Sequence, residues 1–301
     1  VGALHALAFW CAAASFAIRA PSIGRNPHGR ASWAATGVGA LGLLTLGAVI
    51  PQRDLDALLG GTNLVNLVQN LCATTAFWLL FRGSVRDVDR RPALAHPLAL
   101  LVMLASFTVP FLFIRDRGDT VFTFIVDEID QTATWLYACI YMACVATITA
   151  TTLARGVLGS RGALVVFRVG LALVTIASVE EIASLTADHF VLGPVLLRDV
   201  LRTAFDPPFY LGIVLMVAAM ASMTVRRWVR EARLRGHRIR LARIARRLDL
   251  HARRRRGGLQ VRTYDLLIAI RDAEVQGREL TTAESASVRS AELMLAKDLA
   301  G

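Results

Sequence analysis

The chain has 301 residues, 55% of them hydrophobic, with a mean hydropathy of +0.51 and a net charge of +11. This is too apolar for an ordinary water-soluble domain and points to a membrane protein. The four cysteines, Cys11, Cys72, Cys139 and Cys144, all fall inside apolar runs without CxxC spacing, which excludes a thiolate metal motif and argues against a disulfide framework.

Seven apolar stretches reach the roughly 17 to 25 helical residues needed to cross about 30 Å of hydrocarbon. They cover 3–18, 33–50, 64–81, 98–114, 132–153, 164–187 and 208–225. In lipid each must be helical, because an open strand would leave its backbone groups without partners. The first run has no basic residues before it and no small-residue cleavage site, so it reads as a crossing and not as a removed leader. Gly37, Gly39 and Gly42 in the second run satisfy GxGxxG, but inside a membrane helix such glycines serve close packing and not dinucleotide binding. Pro110 is expected to kink the fourth segment, since it lacks the N–H of one ladder bond. Between the last two crossings, Leu197, Leu201 and Phe205 repeat at i, i+4, i+8 and predict a short helix lying at the membrane interface.

The last crossing runs directly into 226–256, which holds fourteen arginines against Glu231 and Asp249. A block of that charge cannot enter a bilayer and marks the cytoplasmic side. The loops alternate to match. Loop one (Arg19, Arg25, Arg30), loop three (Arg82, Arg86, Arg90, Arg91 against Asp87 and Asp89) and loop five (Arg155, Arg161) are net positive. Loop two (Arg53 against Asp54 and Asp56), loop four (Arg115 and Arg117 against Asp116, Asp119, Asp127, Glu128 and Asp130) and loop six (Arg198 and Arg202 against Asp188, Asp199 and Asp206) are net negative. The expected topology in a bacterial inner membrane is N-terminus outside, C-terminus cytoplasmic. Within the basic run Leu234, Leu241 and Leu248 repeat at seven residues, with Ile244 and Ala245 between them. A surface helix on an anionic leaflet fits best, with Arg226, Arg227, Arg230, Arg243 and Arg247 at lipid headgroups. A coiled coil between two copies suffers like-charge repulsion. Nucleic-acid binding is the weakest reading, with Trp228 as the run's one aromatic.

Beyond the run, Gly257 and Gly258 break the helix. Val261, Tyr264 and Ile268, with Leu267 beside them, predict an amphipathic helix ending near Gly277. Thr281 and Glu284 have capping-box spacing, and Val288, Ala291, Leu295 and Leu299 form the stripe of a last helix. The expected organisation is therefore all-α: a seven-helix bundle over 1–225, a basic juxtamembrane helix over 226–256 and a small helical hairpin over 257–301. The hairpin is too short for much core of its own and needs the basic helix, the membrane or a second copy to pack against.

In this layout the chain resembles a group of actinobacterial integral membrane proteins described as transporters, with seven helices and a small cytoplasmic C-terminal domain. Two segments carry the likeness. LLGGTNLVNLVQNL, residues 58–71, resembles that group's lead-in to the third helix at Gly61, Asn63 and Leu67. VRTYDLLIAIRD, residues 261–272, resembles its C-terminal segment, where a Tyr precedes the Ile270, Arg271, Asp272 triplet. The group's pattern continues with Leu-Arg-Pro, whereas residues 274–278 here read EVQGR.

Two features inside the crossings are candidates for chemistry. Glu180 and Glu181 stand in the apolar context TIASVEEIASL, where an ionised carboxylate costs roughly 2.5 kcal/mol or more and usually faces a cavity or a partner. Adjacent helical positions lie about 100° apart, so both cannot face the same way. One can bind a cation or exchange a proton. Alternatively both snorkel to the interface and pair with Arg198 or Arg202. Asn63, Asn66 and Asn70 share one helix face at i, i+3, i+7 and either line a solute path or bond neighbouring helices. The histidines sit at segment ends or in the basic run, and no Ser/His/Asp set is present at helical spacing, so no catalytic residue, metal site or cofactor is expected. Two functions follow as expectations: a bundle that binds or moves a small solute or cation along Asn63, Asn66, Asn70, Glu180 and Glu181, or a sensor or scaffold. In the second, the tail meets a cytoplasmic protein or a second copy through Tyr264, Ile268, Ile270, Arg271 and Asp272.

Overall fold

The computed structural model describes residues 2–21, 29–85, 92–118, 120–155, 162–250 and 258–299. The loop charges Arg25, Arg86, Asp87, Asp89, Arg90, Arg91, Asp119 and Arg161, and the end of the basic run at 251–257, lie outside these. Among the described residues there is no strand. The helices are α1 (Gly2–Arg19), α2 (Arg30–Leu44), α3 (Gln52–Ala57), α4 (Leu64–Ser84), α5 (Pro97–Leu112), α6 (Phe124–Asp127), α7 (Thr132–Ala154), α8 (Gly162–His189), α9 (Val195–Ala204), α10 (Asp206–Arg247), α11 (Leu259–Val275) and α12 (Thr282–Leu299). Among the described residues, five stretches are long and apolar enough to cross a membrane: α1, α4, α7, α8 and Val195–Arg247, which contains α9 and α10. The chain divides into two compact units, Val1–Ser222 and Met223–Gly301.

Two of the seven expected crossings are shorter as helices. α2 has 15 residues and α5 has 16, about 22 to 24 Å of rise. The apolar run around α2 continues to Ile50, but Gly47 takes φ +80° and Pro51 follows, so the backbone turns before the run ends. Pro110 lies in the last turn of α5. The helix stops at Leu112, and Phe113 N–H donates to the Pro110 carbonyl at 3.0 Å.

In the first unit α2 packs on α1 and α4, α4 on α7, and α7 on α5 and α8. Small residues set the approach of the helices, as membrane packing favours. Gly37 faces the Phe16 ring of α1 and Gly42 faces Cys72 of α4, so the GxGxxG glycines serve packing. α8 and α10 meet at Gly170 and Gly212, each against the other's carbonyl oxygen. Hydroxyls add interhelical bonds: Thr175 to Thr149 at 2.8 Å and Trp135 Nε1 to Thr186 at 3.3 Å. The outer surface is apolar, with Trp10 60%, Val102 60% and Ile176 64% exposed, as expected where lipid is the solvent. α9 exposes Val195, Leu196 and Val200, the character of an interfacial helix.

The second unit has its own core. Leu234, Leu241, Ile244, Ala245 and Leu248 of α10 pack against Leu267, Ile270 and Ala273 of α11 and Val288, Ala291 and Leu295 of α12. The leucine repeat of the basic run is therefore the spine of a three-helix unit, and neither lipid nor a second copy is needed to cover it. Thr281 and Glu284 form the expected capping box: Thr281 N–H donates to Glu284 at 2.9 Å and Glu284 N–H to Thr281 Oγ1 at 3.3 Å. The same carboxylate accepts two bonds from Arg247 at 2.6 Å. The Thr281 N–H first, and Arg247 after it, hold the Glu284 carboxyl below the usual carboxylate range. Arg278 donates to the Leu248 carbonyl and ties the α11–α12 turn back to α10.

Candidate functional site

The segment leading into α4 is folded around a buried carboxylate. Asp56, fully buried at the end of α3, accepts from the backbone N–H groups of Asn63 and Val65 at 2.7 Å each and from the Thr120 hydroxyl. Gly60, Gly61 and Asn63 have φ of +107°, +68° and +59°. Glycine takes such angles freely, and Asn is among the few other residues that do so at modest cost. The Asn63 side chain donates to the Arg117 carbonyl and accepts from Val121 N–H at 3.2 Å. Asn63 is thus a fully buried pin between the α3–α4 and α5–α6 loops, a correction to its expected place on a solute path.

The other amides of the stripe do reach open space. Asn66 and Asn70, with Gln69 between them, line a cavity of about 380 Å³ inside the first unit. Gln52 Nε2 donates to Asn66 Oδ1 at 3.4 Å, and Asn70 Nδ2 donates to the Tyr137 hydroxyl at 2.8 Å. The stripe therefore both binds neighbouring helices and faces the cavity.

Glu181 of α8 lines the same cavity, beside Tyr141, Tyr210, Arg202 and Asp206. Glu180 is not in the lining, and neither of its buried carboxylate oxygens has a hydrogen-bond partner. The two acids thus separate as helical geometry demands, one inward and one away. Neither pairs with the arginines of α9. Those belong to Asp188, which Arg202 meets at 3.0 Å and Arg198 at 3.9 Å.

Several lining residues carry no signal in the sequence. Asp206 and Tyr210 sit in the first turns of α10, in DPPFY, where an acid followed by proline suits a helix start. Behind Tyr210 and outside the lining, His5 of α1, which reads as a segment-end histidine, is buried with its ring 4.1 Å from that of Tyr210 and its Nε2 without a hydrogen-bond partner. The remaining wall is mostly apolar, with Gly39, Ala76, Leu80, Val217 and Met220 from α2, α4 and α10 and with Thr36, Gln52 and Thr123 as its further polar members. A cavity of this size with a few convergent polar groups has the character of a small-molecule site. Among the described residues no group of three or more His, Cys, Asp and Glu side chains could hold a metal ion.

The expected surface residues of the second unit divide in two. Tyr264 and Ile268 are 49% and 41% exposed, and Asp272 is exposed. Ile270, in contrast, is fully buried in the three-helix core. Arg271 is occupied by Glu292 at 2.7 Å and Glu274 at 2.5 Å, and Glu292 first, then Glu274, raise its pKa further. All five arginines assigned to headgroups, Arg226, Arg227, Arg230, Arg243 and Arg247, are exposed. Arg227 pairs with Glu231 at 3.1 Å. Arg247 is committed to Glu284 and to the Glu279 carbonyl, so it is a clamp within the unit and not a headgroup contact.

Set against known protein families, curated proteins and solved structures, the chain matches none.

Proposed function

We propose that the chain is a seven-crossing protein of a bacterial inner membrane whose bundle binds and passes a small solute or cation through the cavity between α2, α4, α8 and α10. The observation that carries this is convergence. Asn66 and Asn70 on α4 and Glu181 on α8, more than a hundred residues apart in sequence, open onto one cavity. Two amides and a carboxylate suit a polar or cationic ligand, and a carboxylate within a membrane bundle is a functional group by default. The five long helices supply five crossings, with α2 and α5 and their flanking turns as the other two. The alternating loop charges support an outside N-terminus and a cytoplasmic Arg-rich segment. The resemblance to actinobacterial transporters points the same way. A scaffold acting through the tail is less well supported, because Ile270 is core and Arg271 is bound within the unit.

Uptake of tetraethylammonium and of rubidium into proteoliposomes tests this reading. The wild-type protein is expected to take up at least one of them, Glu181→Gln to reduce that uptake by about tenfold or more, and Glu180→Gln to leave it within about twofold. Uptake of neither, or equal uptake by Glu181→Gln and wild type, counts against the cavity as a path.

A further inference from the structure

The shape of the cavity narrows the ligand further, and the inference rests on the reading of the cavity as a ligand site. Its lining runs from Asn66 to Leu80 along α4 and from Asp206 to Met220 along α10. Each span is fifteen residues, a rise of about 21 Å along an α-helix. A cavity of about 380 Å³ elongated along two helices suits one extended alkyl chain with a small head group.

The polarity is graded along this length. At the end where α4 and α10 begin lie Asn66, Gln69, Asn70, Glu181, Asp206 and Tyr210. The opposite two thirds is walled mainly by Ala76, Phe77, Leu80, Met216, Val217 and Met220, with Thr36 there bonding its hydroxyl to the Trp33 carbonyl of its own helix. The charged end is net negative: Glu181 and Asp206 face Arg202, and Arg202 is engaged with Asp188 at 3.0 Å. Tyr141 and Tyr210 bring aromatic rings close to the two carboxylates, and such rings favour a positive group. An inorganic cation has no use for the long apolar wall. A fatty acid or alkyl sulfate brings its anion to Glu181 and Asp206, and an alkane or alkanol leaves the acids and amides without a partner.

We propose that the cavity binds a single-chain amphiphilic cation, an alkylamine or alkylammonium, with its head between Glu181, Asp206 and the Tyr141 and Tyr210 rings and its chain lying between α2, α4 and α10 toward Leu80 and Met220. Binding to the full chain in phosphatidylcholine nanodiscs tests this, with decyltrimethylammonium, tetramethylammonium, decyl sulfate and decanol as probes, each corrected for partition into empty discs. Decyltrimethylammonium is expected to bind about tenfold or more tighter than each of the other three, with affinity rising from butyl to decyl. Glu181→Gln is expected to remove the preference for the cation over decanol. Ala76→Phe is expected to flatten the chain-length series. The chain-length series on the wild-type protein stands even if a variant fails to fold. Tetramethylammonium binding as tightly as the decyl compound overturns the proposal and leaves a small-cation site intact. Equal binding of decyl sulfate or decanol overturns the cationic head. Binding of no probe, the small cation included, overturns the amphiphile and the ligand-site reading together.

Discussion

Valine at Gly212 is expected to cost more stability than any other single exchange in the bundle. A Cβ at this position would lie 2.7 Å from the Gly170 carbonyl oxygen, 2.8 Å from Val174 Cγ2 and 3.2 Å from the Val174 nitrogen. The reciprocal Cβ at Gly170 would lie 2.7 Å from the Gly212 carbonyl oxygen and 3.1 Å from the Met216 nitrogen. Backbone atoms cannot swing aside, so α8 and α10 must separate and lose the contacts that follow on either side of the crossing. Overpacking usually costs about 1 to 3 kcal/mol. Two helix backbones blocked at one point put Gly212→Val and Gly170→Val at or above roughly the top of that range. Gly37→Ala is the comparison. Its added Cβ meets only the Phe16 ring, at 2.6 Å, and the ring can turn at the expense of its stacking on Trp33, so a loss of about 1 kcal/mol is expected. Reversible unfolding in mixed micelles reads all three. Equal effects at Gly37 and Gly212 would mean that the α8–α10 crossing is not as close as described.

Asp56→Ala is expected to release the α3–α4 loop and the loop before α6 together. The substitution leaves the Asn63 and Val65 N–H groups and the Thr120 hydroxyl without their acceptor. An unsatisfied buried donor costs about 1 to 3 kcal/mol, and water entering the loop relieves part of it, so a net loss of about 3 kcal/mol is expected. Asp56→Asn keeps one carbonyl acceptor and should lose roughly half as much. Because Asn63 holds the Arg117 carbonyl and the Val121 N–H, proteolysis within 115–121 should accelerate in parallel with the stability loss. Phe122 and Thr123 line the cavity just beyond, so ligand binding should weaken too. Unchanged proteolysis in Asp56→Ala would separate the two loops and contradict the role given to this carboxylate.

Asp56 also marks where the sequence stopped being readable. As a sequence position it is one negative charge in a short loop, and only its contacts with residues seven, nine and sixty-four positions away show its role. The long apolar runs were readable because hydrocarbon leaves the backbone no alternative to helix. Their ends depended on local backbone geometry, as at Gly47 and Pro51, where the apolar run outlasts the helix. The separation of Glu180 from Glu181 followed from helical geometry, but which of the two faces inward did not, since both neighbouring faces are apolar. α11 shows the same ambiguity. It carries one apolar stripe at Val261, Tyr264 and Ile268 and another at Leu267, Ile270 and Ala273. Periodicity alone cannot choose between them. The stripe of leucines on α10 does, by burying the second and leaving the first exposed. Asn63 was misplaced for a related reason: i, i+3, i+7 spacing implies a shared face only inside a helix, and Asn63 sits just before α4 in a left-handed conformation.

The central proposal is that the space beside Asn66, Asn70 and Glu181 is a site open to solutes from the outer face of the membrane. It is tested most directly by impermeant thiol labelling of a variant with its four cysteines replaced and one cysteine introduced at Gln69, in vesicles of both orientations. A cysteine introduced at Arg238 in the same background marks the face proposed to be cytoplasmic. Rapid labelling at 69 from the face where 238 is unreactive, slowed by decyltrimethylammonium, is the expected result. No labelling at 69 from either face, or labelling from the same face as 238, would contradict the account.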